Sequence, residues 1–89
     1  MTFVVPPSWN SETPLSDLSC EAPTVGMALG WFADRYPILR KRYLTPDGEI
    51  AAWALVTLNR IDVRTLSGLD TRIEAADSEI QIIAALMGG

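Results

Sequence analysis

The residues best suited to chemistry are the last two, Gly88 and Gly89, which follow an apolar segment at residues 80–87. Because neither has a side chain, the terminal carboxylate is unhindered, and such a group is an anion at neutral pH. Glycine also adopts backbone angles closed to other residues, so this end of the chain suits a narrow active site of another protein. The alternative is a chain that ends in glycine for no functional reason, since a dipeptide alone is a weak motif.

The rest of the sequence offers no catalytic set. It contains no histidine and a single cysteine, Cys20, which excludes the usual zinc ligands and histidine-based catalysis. Lys41 is the only lysine, and no base accompanies the serines. We therefore predict a protein that is not itself an enzyme, with no catalytic residue, no metal site and no bound cofactor. Cys20 is expected to be a small buried apolar residue rather than a reactive thiol.

Composition narrows the choice of partners. Seven basic and eleven acidic residues give a net charge of −4, which argues against nucleic acid and favours a partner with a basic cleft. No apolar run approaches the roughly 20 residues that span a bilayer. The N-terminus lacks the basic and apolar regions of a secretion signal, and a lone cysteine fits a reducing compartment. We expect a cytoplasmic protein without a membrane partner.

The elements that must position the C-terminal glycines are predicted from apolar periodicity. An alternating pattern typical of a half-buried strand occurs at residues 15–22, and residues 8–14 are rich in turn-forming types. The final strand leads directly into the segment that ends in the two glycines. Strands are predicted at residues 2–5, 15–22, 50–58, 61–64 and 80–83.

One main helix is predicted between the second and third strands. Thr24 is its expected N-cap, and Pro37 ends it. Gly26 and Gly30 lie on this helix, where their small size favours a close approach of the helix to the sheet. The apolar positions form one stripe suited to packing on a sheet: Val25, Ala28, Leu29, Phe32 and Tyr36.

The predicted order β-β-α-β-β-β indicates an α+β fold. With the last strand in the interior, it favours the β-grasp, or ubiquitin-like, arrangement: a mixed sheet of four to five strands with one main helix across its concave face. We expect a β-grasp domain at residues 1–83 and a flexible C-terminal tail at residues 84–89.

Short strings of residues occur in a particular order along the second part of the chain. They are found at residues 35–40, 47–49, 56–59, 62–64 and 68–71, followed by Asp77 and by Gly88-Gly89. Over roughly residues 24–89 this series resembles the small sulfur-carrier proteins of thiamin and molybdopterin biosynthesis. The nearer likeness is to the carrier of thiocarboxylate-dependent cysteine synthesis, through residues 62–64 and the Tyr36-Pro37 helix end.

The resemblance implies a protein co-substrate whose Gly89 carboxylate is activated by other proteins. A partner similar to the ubiquitin-activating enzymes would adenylate it with ATP and Mg. A sulfur donor protein or a sulfide source would then displace AMP, leaving a thiocarboxylate. A downstream biosynthetic enzyme would accept the sulfur for cysteine, a cofactor or a secondary metabolite. Gly88, Met87 and Leu86 would be read by whichever partner receives the tail.

Docking of the adenylating enzyme is expected on the sheet face that the helix does not cover. Leu55 and Thr57 are predicted there, and Arg64 is the third candidate docking residue. Arg64 is placed either near the base of the tail or, as the simpler expectation, in a surface salt bridge. Trp53 alternates with Leu55 and Thr57, but we expect it to pack in the core.

The sequence departs from the resembled family at two places. Ala76 occupies a position that is commonly glycine, so the turn before the last strand either is strained or has a different shape. The tail is apolar and lacks the common proline, which indicates a specialised paralogue with its own partners. Three alternatives stay open: a ubiquitin-like modifier joined to lysines through Gly89, a small subunit of molybdopterin synthase, and a plain interaction domain.

Overall fold

The chain is described by a computed structural model that covers residues 1–84. Short 3-10 turns occupy Pro37–Arg42, Val63–Thr65 and Gly68–Asp70. The strands are β1 (Thr2–Val4), β2 (Ala54–Leu58), β3 (Ile61–Asp62) and β4 (Glu79–Ala84). The helices are α1 (Trp9–Glu12) and α2 (Val25–Arg35).

The four strands form one mixed sheet in the order β1-β4-β2-β3. β4 pairs in parallel with β1 and antiparallel with β2, and β3 pairs antiparallel with β2. The last strand therefore lies inside the sheet, as predicted. Together with the single long helix, this order confirms the α+β, ubiquitin-like fold.

The predicted second strand at residues 15–22 is wrong as a regular strand. The segment runs beside β1 through one isolated bridge, between Thr2 and Ser19, and through two flanking backbone hydrogen bonds. Asp17 adopts a left-handed conformation (φ 52°), which breaks the pleat. The Tyr36 hydroxyl accepts a hydrogen bond from the Ser16 N–H at 3.0 Å and holds this backbone against the end of α2.

Two other strands are shorter than predicted. β2 begins only at Ala54, because the preceding residues form a turn. β3 ends at Asp62, whose carboxylate accepts a hydrogen bond from the Arg64 N–H at 2.9 Å and starts a 3-10 turn. Ala76 lies outside the left-handed region, so the turn before β4 differs in shape from one that needs glycine.

The helix prediction is confirmed. The Thr24 hydroxyl caps α2 by accepting a hydrogen bond from the Met27 N–H at 3.2 Å. All five residues of the predicted stripe are buried, and the Phe32 ring lies 4.7 Å from that of Phe3 in β1. The role predicted for the glycines is wrong: Gly26 approaches Leu69 in a 3-10 turn rather than the sheet, and Gly30 faces open space.

Candidate docking surface at the C-terminal end of the sheet

β4 determines where the predicted functional segment begins. Its last residue, Ala84, is also the first residue of the predicted tail and pairs with Ala54 of β2. The predicted functional residues Leu86, Met87, Gly88 and Gly89 lie outside the described residues. The structure therefore shows where this segment begins: at the end of an interior strand, beside Ala54 of β2.

The sheet surface opposite α2 carries exposed apolar side chains at this same end. Leu55 and Ile83 are register partners on β2 and β4, and their side chains point away from the core. Leu55 is half-buried, whereas Ile83 is 43% exposed. Val4, on β1, is also exposed. The predicted position of Leu55 on this outer face is thus confirmed, and Ile83 is an addition that the sequence analysis missed.

Trp53 lies on the surface, and its predicted place in the core is wrong. It occupies the turn before β2 and is 39% exposed, with its indole N–H donating to the Arg42 carbonyl oxygen at 3.1 Å. The core positions on either side of it are filled by Ala51 and Ala54, both buried. Because a turn precedes β2, the inward and outward alternation of its side chains does not extend to Trp53. The indole therefore lies beside the sheet rather than in the core.

Arg64 binds backbone carbonyls instead of forming the expected salt bridge. Its Nη1 donates to the Ala54 carbonyl oxygen at 2.9 Å, and its Nη2 donates to that of Ala51 at 2.7 Å. β3 has already ended, so the guanidinium satisfies a carbonyl of β2 that a longer β3 would otherwise reach. Since Ala54 pairs with Ala84, Arg64 lies near the base of the tail, as the other prediction had it.

Thr57 lies on the outer face but is only 7% exposed. It pairs with Gln81 on β4 and with Asp62 on β3. Within residues 1–84, its buried hydroxyl has no hydrogen-bond partner. Thr57 is therefore covered by its neighbours on the outer face, and its side chain offers a partner little accessible surface.

The opposite end of the sheet is organised differently. Asn59 and Arg60 form the two-residue turn between β2 and β3, both with positive φ (51° and 71°). The Asn59 carboxamide oxygen accepts a hydrogen bond from the Glu79 N–H at 2.9 Å, which fixes this turn to the start of β4. These contacts hold the fold together at the end remote from the C-terminal segment.

Cys20 also lies at this remote end, beside an open cavity of about 600 Å³. Its thiol is half-buried and 3.4 Å from the Met1 thioether sulfur. Burial raises the pKa of the thiol, which disfavours the reactive thiolate. This environment agrees with the expected role of Cys20 as a small packing residue.

Residues 1–84 contain no group of three or more histidine, cysteine, aspartate or glutamate residues arranged to hold a metal ion. No helix in this part of the chain has the length and apolar character needed to cross a membrane.

Several solved structures share this fold. A chain of the Amycolatopsis orientalis BexX/CysO complex is 20% identical with a TM-score of 0.80, covering 99% of this chain and 98% of that one. CysO of Mycobacterium tuberculosis is 24% identical with a TM-score of 0.78, covering 96% and 98%. SAMP1 of Haloferax volcanii is 21% identical with a TM-score of 0.71, covering 98% and 96%.

No protein-family model and no curated protein matches the sequence. At 20–24% identity, the three structural similarities establish the fold. CysO of Mycobacterium tuberculosis shares this fold over almost the whole of both chains.

Proposed function

We propose that this protein is a sulfur carrier whose Gly89 carboxylate is converted to a thiocarboxylate. The observation that carries the proposal is the end-to-end similarity of the fold to CysO, combined with an interior last strand that leads to Gly88-Gly89. The chain is a co-substrate rather than a catalyst, and it works in the cytoplasm. The sequence has no histidine, one cysteine and one lysine, which is consistent with chemistry performed by partner enzymes.

The proposed reaction begins with activation of a poor acyl donor. A partner enzyme of the ubiquitin-activating type, which binds ATP and Mg, transfers AMP to the Gly89 carboxylate and releases pyrophosphate. Sulfide, either free or released from a donor protein, attacks the acyl carbon, the C–O bond to AMP breaks, and the departure of AMP leaves a thiocarboxylate on Gly89. The absence of side chains at Gly88 and Gly89 leaves this carbon open to attack. The sulfur then stays covalently attached until a biosynthetic enzyme accepts it.

Recognition of the carrier is proposed to use two regions. Leu86, Met87 and Gly88 enter the partner's active site ahead of the reacting carboxylate. The outer face of the sheet docks beside them through Leu55 and Arg64, with Thr57 beneath. This arrangement is supported by the pairing of Leu55 with Ile83, one residue before the described end of β4.

Intact mass spectrometry tests the proposal directly. The protein is incubated with a candidate adenylating enzyme, ATP, Mg and sulfide, and replacement of one terminal oxygen by sulfur is expected to add about 16 Da. A variant lacking Gly88 and Gly89 is the control and should show no change. Absence of the increment in the full chain, with every adenylating enzyme of the source organism, contradicts the proposal.

The same experiment discriminates the alternatives. Adducts joined to lysines of other proteins, without the thiocarboxylate, identify a ubiquitin-like modifier. A permanent complex with a larger enzyme subunit identifies a synthase component. Function that survives deletion of both glycines identifies a plain interaction domain, because every C-terminal mechanism is then wrong.

A further inference from the structure

We propose that Trp53 and Arg64 are the two anchors by which the adenylating enzyme recognises this carrier. The enzyme is inferred to offer an apolar pocket for the indole and a carboxylate for the guanidinium. This inference rests on the proposed function and assigns the chemistry of the partner surface. It departs from the expectation, drawn from net charge, of a basic partner cleft.

Trp53 has the properties of a pre-organised aromatic anchor. Its only polar atom is already satisfied by the Arg42 carbonyl, so the ring has a fixed position before any partner arrives. An exposed indole that is already ordered loses little conformational entropy on binding. Tryptophan is also among the residues most enriched in binding hot spots, because it buries a large apolar area.

Arg64 is also held by backbone carbonyls, just beyond the end of β3. Its two bonds to the Ala51 and Ala54 carbonyls fix the planar group, yet the residue stays exposed. The guanidinium has five N–H donors, so three remain beyond these two bonds. A fixed and still positive guanidinium is well suited to bind a carboxylate through two parallel hydrogen bonds.

The two anchors border the point at which the reactive segment leaves the sheet. Trp53 immediately precedes β2, and Arg64 bonds to the first residue of that strand, Ala54, which pairs with Ala84. Ile83 and Leu55 lie on the outer face next to this pair. A partner seated here covers an apolar centre while it receives the segment that follows Ala84.

Arg64 presents an exposed positive charge at this end although the protein is acidic overall. Lys41, which is exposed, lies next to Arg42, the residue that holds the Trp53 indole. Arg42 is paired with Glu12, whereas Arg64 has no ion pair within residues 1–84. Of the outer-face acids, Glu79 lies at the far end of β4, and the Asp62 carboxylate accepts a hydrogen bond from the Arg64 backbone N–H at 2.9 Å. Charge complementarity therefore favours a carboxylate on the partner at the Arg64 position.

The experiment measures binding of the adenylating enzyme that loads Gly89 in the mass assay. Trp53→Ala and Arg64→Gln are each expected to raise the Kd about tenfold or more, the size of a hot-spot loss. Met27→Ala and Arg72→Gln are matched controls, because they remove an exposed apolar and an exposed cationic side chain elsewhere. These controls should change the Kd less than about twofold.

Salt separates the two anchors. The effect of Arg64→Gln should shrink between about 0.05 M and about 0.5 M salt because screening weakens ion pairs, while that of Trp53→Ala should persist. An Arg64 effect independent of salt overturns the assignment of a carboxylate. A Trp53→Ala effect no larger than that of Met27→Ala overturns the aromatic anchor, and thermal melting verifies that each variant is folded.

Failure of this inference is distinguishable from failure of the proposed function. If Gly89 acquires sulfur but both variants bind like the wild type, the anchors are wrong and the carrier role stands. If no adenylating enzyme adds sulfur to Gly89, the carrier role is contradicted, and the anchor assignment falls with it.

Discussion

The two faces of the sheet use the same strands in different ways. On the face covered by α2, Val56, Ile80 and Ile82 are completely buried. On the outer face, the neighbouring Ile83 is 43% exposed, and Gln81 is half-buried. One strand therefore stabilises the domain through alternate residues and leaves an apolar side chain exposed through the others. If the proposed docking is correct, stability and recognition are separated by a one-residue step along β4.

The sharpest way to break this comparison is to truncate adjacent isoleucines. Ile82→Ala is expected to lower the free energy of unfolding by about 2–5 kcal/mol, because it leaves a cavity in the core. Ile83→Ala should cost less than about 1 kcal/mol, since its side chain is partly solvated already. Urea denaturation of both variants measures the contrast.

The binding readout should reverse this order. Ile83→Ala is expected to weaken binding of the adenylating enzyme, whereas the folded fraction of Ile82→Ala should bind with unchanged affinity. Equal stability losses at the two positions, or a binding loss confined to Ile82→Ala, would show that the two faces do not divide these roles.

A second comparison concerns one buried hydroxyl near each face. Tyr43 lies in the core against Trp9 and Phe32, and Thr57 lies under the outer face. Neither hydroxyl has a hydrogen-bond partner within residues 1–84. Because an unsatisfied buried hydroxyl is costly, Tyr43→Phe and Thr57→Val should each raise the unfolding free energy by about 1 kcal/mol. A loss of stability in either variant contradicts this account of that hydroxyl.

The pH dependence of stability provides an independent check on Tyr43. Burial raises the pKa of its phenol above the ordinary range, while the unfolded chain ionises near pH 10. Below about pH 10 both states are protonated, and above it only the unfolded chain ionises, so the free energy of unfolding falls as the pH rises toward the folded-state value. Tyr43→Phe should therefore flatten the alkaline part of the stability curve, as measured by denaturation at several pH values. An unchanged alkaline slope would contradict it.

The smallest expected effect lies on the covering helix, where two glycines have different surroundings. A Cβ at Gly30 would meet nothing within 4 Å, so Gly30→Ala should stabilise the protein by about 0.5–1 kcal/mol through helix propensity. A Cβ at Gly26 would lie 3.0 Å from the Leu69 carbonyl oxygen. In Gly26→Ala the steric contact should cancel the gain in helix propensity. Thermal melting of the two variants tests whether α2 is closely packed at position 26 but not at position 30.

The helix and the last strand could be predicted as elements because their signals are local. The apolar stripe from Val25 to Tyr36 has helical periodicity throughout, and the N-cap Thr24 precedes it. Packing on the sheet therefore reinforces a helix that the local sequence already favours. The run at residues 80–83 is equally clear. Ile83 was missed as a surface residue because an isoleucine in such a run gives no sign of which face it occupies.

The remaining features depend on contacts between distant residues. Residues 15–22 have strand periodicity, but the Tyr36 hydroxyl and the left-handed Asp17 interrupt the pairing. Trp53 is held outside by a carbonyl eleven residues away, and Arg64 by carbonyls ten and thirteen residues away. Periodicity reports burial along one element, so it cannot show which distant backbone groups a side chain will find.

The interior position of β4 also has a mechanical consequence. β4 is joined to β1 by three register pairs and to β2 by five, on both of its edges. Because strand hydrogen bonds run roughly perpendicular to the strands, a pull along the C-terminal direction loads both ladders in shear rather than opening them one bond at a time. The proposed capture of the chain's end by an enzyme would therefore pull against a strand that is paired on both edges, and we expect the domain to resist such a pull better than if β4 lay at an edge.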